Sequence, residues 1–339
     1  MQNFKILLTG GAGYIGSHMA KVLHGAGLPF LVLDDLSGGY RDVLLYGEFI
    51  QGSIADEKLL DDLFSRYQFD AVMHFAAFIE VGESVRNPAK YYRNNAMNTQ
   101  VLLEAMIKNN IKNFVFSSSA AVFGEPERIP IDESHPKEPV NPYGRCKRIV
   151  EQMLSDYEKA YDMQYVNLRY FNAAGADPDG KLGERHEPET HLIPLVLQAA
   201  SGRRESISVF GTDYNTSDGT CIRDFIHVMD LCDAHLLALD RLLSGKGSGS
   251  YNLGNGNSFS VRQVIETARH VTGKDIKVLE KPRRPGDPAQ LVADSRLARQ
   301  ELNWSPLRAE MEKIIEDTWR WECFLSKTRQ PSERPVRSY

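Results

Sequence analysis

Cysteine, positive charge and long apolar stretches are all scarce in this chain. Its four cysteines (Cys146, Cys221, Cys232 and Cys323) are scattered through 339 residues with no C-x-x-C pair. That spacing argues against a disulfide framework or a cysteine zinc site, and no metal is expected. Lysine and arginine number 40 against 45 acidic residues, a formal net charge of −5. The electrostatic footprint of a nucleic-acid-binding protein is therefore missing. The short basic pairs Arg203-Arg204 and Arg283-Arg284 suit one phosphate group better than a polymer. No apolar run reaches the ~20 residues that cross a bilayer. The sequence enters a strand-like pattern at Ile6 without a charged-then-apolar leader, so a cytoplasmic protein with no membrane partner is expected.

What is present is an ordinary globular composition, 42% hydrophobic and 25% charged, in a chain long enough for two lobes. One stretch organises it. The apolar run Ile6-Leu7-Leu8-Thr9 ends in Gly10-Gly11-Ala12-Gly13-Tyr14-Ile15-Gly16, with Gly10, Gly13 and Gly16 three residues apart, and opens into a helical pattern. At such a turn the missing Cβ atoms allow a tight bend and close approach of backbone N–H groups to a pyrophosphate. The positive end of the following helix favours the same anion. A second apolar run, Phe30 to Leu33, ends in Asp34, about twenty residues past the glycines, where an acid accepts hydrogen bonds from adenosine ribose hydroxyls. A lone glycine triad could be a generic strand-to-helix turn; this context points to a dinucleotide. No arginine follows Asp34 immediately (the nearest is Arg41), so NAD is favoured over NADP.

Strand and helix patterns then alternate. Residues 48–54 and 69–77 read as strands, 56–67 and 89–109 as helices, and 113–119 as a strand ending in Ser117-Ser118-Ser119. Near-continuous apolar strands between helices predict a doubly wound parallel α/β sheet, a Rossmann arrangement, with ligands outside the carboxyl ends of the strands. The glycine turn, Asp34, Ala76-Ala77 and Ser117 to Ser119 all fall at those ends.

Asn141-Pro142 is a helix-start signal, and Tyr143 and Lys147 follow four residues apart on one helical face. Alone, such a pair is ordinary solvated surface. With Ser119 at a strand end and a dinucleotide turn upstream, it becomes a candidate acid–base group. A phenol with a pKa of about 10 is a poor base at neutral pH. A neighbouring ammonium and an oxidised nicotinamide favour its phenolate, and a serine hydroxyl can hydrogen-bond the reacting oxygen.

The glycine turn, Ser117-Ser118-Ser119 and Tyr143-x-x-x-Lys147 together resemble the extended short-chain dehydrogenase/reductase superfamily. Three further motifs narrow the resemblance to the UDP-glucose (UDP-galactose) 4-epimerases: Arg169-Tyr170-Phe171-Asn172-Ala173-Ala174-Gly175, the run from Gly219 through Arg223-Asp224 to Val228, and Arg284-Pro285-Gly286-Asp287. The likeness runs from about Ile6 to Trp304. It implies an NAD-dependent isomerase that oxidises a UDP-hexose at C4 to a 4-keto sugar, lets it turn, and reduces it on the other face. Ser119, Tyr143 and Lys147 are its implied catalytic residues. Cofactor contacts are implied at Gly10, Gly13, Tyr14, Ile15, Gly16, Asp34, Ser53, Ile54, Phe75, Ala76, Ala77, Asn94, Ser117, Tyr143, Lys147 and Tyr170. Substrate contacts are implied at Ser119, Tyr143, Asn172, His191, Leu192, Ser208, Val209, Phe210, Arg223, Arg284, Asp287 and Leu291. The resemblance also implies a homodimer through the helices 89–109 and 143–161.

Residues 1–175 are expected to form the NAD-binding domain, joined by a return segment near 222–243. Residues 176–339 are expected to form mainly a smaller, interwoven UDP-sugar lobe. Residues 164–172 look like one further core strand ending at the site, and the polar segment 176–190 lacks apolar periodicity and reads as a loop.

Three departures from the family pattern stand out. Ile79 and Glu80 stand where a lysine reaches the cofactor, Ser53 replaces an aspartate at adenine, and Phe225 replaces a tyrosine near the substrate. Leu291 is intermediate in size at the position that walls the sugar pocket, so an enzyme for UDP-N-acetylglucosamine, or for both sugar types, is an alternative. A 4,6-dehydratase fits poorly, because Ser119 is followed by Ala120-Ala121 with no carboxylate. A non-catalytic NAD-binding regulator would be expected to lack Tyr143 or Lys147.

Overall fold

The computed structural model describes residues 5–284 and 287–328. In chain order its strands are β1 (Ile6–Thr9), β2 (Phe30–Asp34), β3 (Glu48–Gln51), β4 (Ala71–His74), β5 (Asn113–Ser119), β6 (Gln164–Tyr170), β7 (Asn172–Ala174), β8 (Ile207–Phe210), β9 (Ile222–His227), β10 (Gly249–Leu253), β11 (Ser258–Ser260), β12 (Val278–Lys281) and β13 (Gln290–Leu291). Seven of them form one parallel sheet in the order β10-β6-β5-β4-β1-β2-β3. Strand order reverses between β1 and β4, the switch point at which doubly wound sheets bind ligands.

Alternation along the strands sorts their side chains onto two faces. Ile6 and Leu8 of β1 join Val32, Met73 and Val115 beneath Met19 and Leu23 of the helix Tyr14–Gly25 and Leu231, Leu239 and Leu242 of the helix Val228–Leu243. Leu7, Leu31, Val72, Phe114 and Phe116 face the other way. They pack on Leu60 and Leu63, on Leu102 and Met106, and on Val150 and Leu154, from the helices Glu57–Arg66, Asn98–Lys108 and Pro142–Tyr161. Both sheet faces are thus covered, which is why the strands read as unbroken apolar runs.

The second lobe is assembled from dispersed segments. β7, β9, β11 and β13 form one small sheet, and β8 pairs with β12. Its core gathers Val196, Leu197, Phe225, Val264, Ile265, Ile314 and Ile315. Phe225 is therefore a core residue of this lobe.

Several segments differ from the expectation. The run 164–172 is not one strand: β6 ends at Tyr170, and after Phe171 the chain enters the second sheet as β7. The return segment is divided between the lobes. Its helix Val228–Leu243 covers the large sheet, but its strand β9 pairs with β7, β11 and β13, and β10 is the strand that completes the large sheet's edge. The helical run after Asn87 is interrupted by a π-helix over Tyr92–Met97. Asn95, buried there, both donates to and accepts from the Phe78 backbone, at 2.8 and 2.9 Å.

Candidate active site

Between the carboxyl ends of the large sheet and the second lobe lies a cavity of about 2610 Å³. One small-molecule ligand occupies roughly 300–1,000 Å³, so the cleft has room for a dinucleotide and a second nucleotide. Every residue at which a cofactor contact is expected lines it, from Gly10, Asp34 and Ser53 through Ala76, Asn94 and Ser117 to Lys147 and Tyr170.

The glycine turn fits a pyrophosphate on its own geometry. A Cβ on Gly10, whose φ is +77°, would stand 2.4 Å from the Ala76 nitrogen, and one on Gly16 would stand 2.2 Å from the Gly10 oxygen. The helix begins at Gly13 with no side-chain cap and no acid in its first turn. Its leading N–H groups are therefore left for an anion. Asp34 is held by N–H groups of Ala12 and Leu36, at 2.9 and 2.8 Å, and burial raises its pKa. Each carboxylate oxygen has a second lone pair for a ribose hydroxyl.

The opposite end of the cavity carries the acid–base candidates. Asn141 caps the helix Pro142–Tyr161 through the Gly144 N–H at 2.8 Å, and Pro142 occupies its first turn, as the sequence predicts. Tyr143 and Lys147 then face β5. The Tyr143 hydroxyl lies against Ser119; burial pushes its pKa up, and the Ser119 hydrogen bond works the other way. The Lys147 ammonium donates to the Ser117 carbonyl at 2.7 Å and lies 5.8 Å from the Tyr143 ring centroid. Burial lowers its pKa to about 8, against the opposing charges of Cys146 and Glu151. The Ser117 hydroxyl pairs with the Tyr170 hydroxyl. His74, buried between Thr9 and Thr99, is kept neutral by burial, with a pKa lowered to about 3.

One member of this constellation went unread in the sequence. Glu151 sits four residues beyond Lys147 on the same helical face. It accepts from Ser118 at 2.7 Å and from Arg169 through a bidentate pair at 2.8 and 2.9 Å, all buried. The signal was the repeated spacing of four through Tyr143, Lys147 and Glu151.

The substrate candidates are more dispersed. Asn172, His191, Asp287 and Leu291 line the cavity, whereas Leu192, Ser208, Val209, Phe210, Arg223 and Arg284 are not among its lining residues. Asn172 donates to the Asp224 carbonyl at 2.9 Å. Arg223 pairs with Asp287 at 3.3 Å, and the Arg284 guanidinium lies 3.9 Å from the Phe210 ring centroid. Leu291 packs against Val122, Phe123 and Ile131 while reaching the cavity. His191 lies 2.7 Å from Glu184 and 3.4 Å from Glu189. Pro285 and Gly286 of the last motif lie outside the described residues.

A switch-point cleft, a glycine turn with a carboxylate at the next strand end, and a serine–tyrosine–lysine group define a dinucleotide-dependent enzyme of the short-chain type. The sequence pattern of the NAD dependent epimerase/dehydratase family matches residues 6–254, and the chain belongs to that family. It is 52% identical over 316 residues to a UDP-glucose 4-epimerase of Halalkalibacterium halodurans, spanning 93% of this chain and 95% of the relative. The crystal structure of a UDP-glucose 4-epimerase from Brucella ovis in complex with NAD superposes with a TM-score of 0.91 at 48% identity, covering 93% and 97% of the two chains. Another UDP-glucose 4-epimerase structure gives a TM-score of 0.94 at 47% identity over 96% and 99%.

Proposed function

We propose that this chain interconverts UDP-glucose and UDP-galactose by inverting C4 of the sugar with a bound NAD. One observation carries the assignment of roles: Ser119, Tyr143 and Lys147 meet on one wall of the cavity whose other end holds the glycine turn and Asp34. NAD supplies the acceptor and donor for the hydride at C4.

The chain's own residues handle the proton. Tyr143 takes it from the sugar 4-hydroxyl and later returns it, and Ser119 hydrogen-bonds the same oxygen and relays the proton. In the bare cleft burial disfavours the phenolate, so an added positive charge is what brings it into working range. An oxidised nicotinamide held in the cleft would add that charge to the Lys147 ammonium already there. Glu151 in turn opposes the burial that would strip the lysine of its proton. Asn172 and Asp287 on the cavity wall hold the UDP, with Arg223, now paired to Asp287, and Arg284, now over Phe210, turning to its diphosphate on binding; the UDP tethers the oxidised sugar while it turns its other face. Guanidinium groups match a diphosphate in charge and geometry.

We read the protein as a cytoplasmic homodimer serving galactose metabolism. Val85 and Met97, on helices packed against Pro142–Tyr161, are 62% and 61% exposed, and a second copy would cover them.

The test is to incubate the purified chain with UDP-galactose, resolve the products, and identify the nucleotide released on denaturation. UDP-glucose and NAD are expected. Released NADP, or an unchanged sugar in a protein that holds NAD, would overturn the reading.

A further inference from the structure

The stretch Glu184-Arg185-His186-Glu187-Pro188-Glu189-Thr190-His191 sits on the cleft wall and has no part in the chemistry above. Four of its side chains converge. Glu184, His186, Glu189 and His191 each offer one ligand atom, all within 4.8 Å of one another. His186 Nδ1 stands 3.3 Å from a Glu184 oxygen and 3.7 Å from a Glu189 oxygen; His191 Nδ1 stands 2.7 and 3.4 Å from the same two carboxylates. Ligand atoms about 2.0 Å from a tetrahedral zinc ion lie roughly 3.3 Å apart, in the middle of that range.

Two further observations point to a cation. The Glu184 and Glu189 side chains are only 3% and 5% exposed. Two carboxylates buried side by side require positive charge in contact. The neighbouring arginines are engaged elsewhere, Arg185 with Asp42 and Arg203 with Glu322, so the charge comes either from protonated His186 and His191 or from a metal ion held between the four side chains. In addition, both imidazole Nδ1 atoms are buried without a hydrogen bond, although each lies close to a carboxylate oxygen. Atoms that share a metal ion face one another in this way, close but unaligned for proton donation. The Glu189 carboxylate is oriented by the Thr190 and His191 N–H groups at 2.8 and 2.9 Å, and the Glu184 carbonyl accepts from the Trp321 indole at 2.9 Å. Such outer contacts are what hold ligands in place.

We propose that Glu184, His186, Glu189 and His191 bind one divalent transition-metal ion, zinc by its donor set, as a structural clip on this loop. Two neutral imidazoles and two carboxylates balance the charge of Zn²⁺ and leave no open coordination position, which suits a structural site. The clip holds a loop that touches three other parts of the cleft. Arg185 reaches Asp42 and stacks 3.5 Å from the Tyr40 ring centroid, Trp321 comes from the last helix, and Tyr14 of the glycine turn lies in the field of both glutamates.

The test uses the untagged full chain, grown with added zinc, and measures metal content by mass spectrometry. About one zinc per chain is expected. Removal with a strong chelator should lower Tm by roughly 5–10 °C, reversed by Zn²⁺ and not by Mg²⁺. Co²⁺ added to the stripped chain should give the visible absorption of a tetrahedral nitrogen–oxygen site. His186→Gln and Glu189→Gln should each abolish stoichiometric binding; should either fail to fold, chelation of the wild-type chain decides alone. A wild-type chain that takes up no zinc overturns the proposal and leaves the cluster an imidazolium–carboxylate ion-pair network. Undiminished zinc in both folded variants overturns it too, because the ion then lies elsewhere.

Discussion

The two walls of the cleft are built in opposite ways. On one side β1 and β4 are buried along their whole length and β5 nearly so, and the wall's reactive side chains stand on those strand ends or on a capped twenty-residue helix docked against them. On the other side β7 and β13 are short and only partly buried, β9 is exposed in part at its first two residues, and much of the surface is the loop 176–190. A rigid wall fixes the groups proposed to transfer the proton to within the small tolerance chemistry demands, while an irregular wall can vary with the substrate. Changes on the first wall should therefore cost rate or stability, and changes on the second should alter selectivity.

The largest effect is expected from Tyr143→Phe, which deletes one oxygen from the rigid wall. Turnover should fall about 10²–10⁴-fold with NAD content and fold unchanged, read from initial rates and released nucleotide. Next comes Glu151→Ala, which strands the buried Arg169 charge. A loss of about 3–5 kcal/mol in denaturant unfolding is expected, with activity impaired through Lys147. On the second wall, Leu291→Tyr should leave UDP-glucose turnover largely intact and lower kcat/KM for UDP-N-acetylglucosamine by roughly 10–200-fold, and Leu291→Ser should raise it. A selectivity ratio unchanged across the three proteins would remove Leu291 from the sugar pocket. The smallest effect belongs to Arg185→Ala. Its partner Asp42 is 66% exposed, so the ion pair contributes about 0–1 kcal/mol and the midpoint should barely move.

The same contrast decided what could be read from the sequence. The glycine turn, Asp34, Ser119 and the Tyr143–Lys147 pair are recognisable because their meaning lies in local spacing, three or four residues, at the ends of apolar runs. The seven-stranded sheet followed from those runs. The passage of the chain between sheets at Phe171, and the pairing of β9 with β7, β11 and β13, depend on partners far away in sequence and carry no local mark. The Glu151–Arg169 pair joins a helix to a strand and was hidden for the same reason. The π-helix at Tyr92–Met97 breaks no apolar period, so it reads as plain helix. The four proposed ligands between Glu184 and His191 fell in a stretch judged by its lack of periodicity; the alternation of glutamate and histidine there was the overlooked signal.

The most direct test of the central claim follows the hydrogen on C4. UDP-glucose deuterated at C4 should be converted in ordinary water to UDP-galactose that keeps the deuterium at C4, because the account returns to the sugar the same hydrogen that left it. Product with protium at C4 would show exchange with solvent and contradict the account.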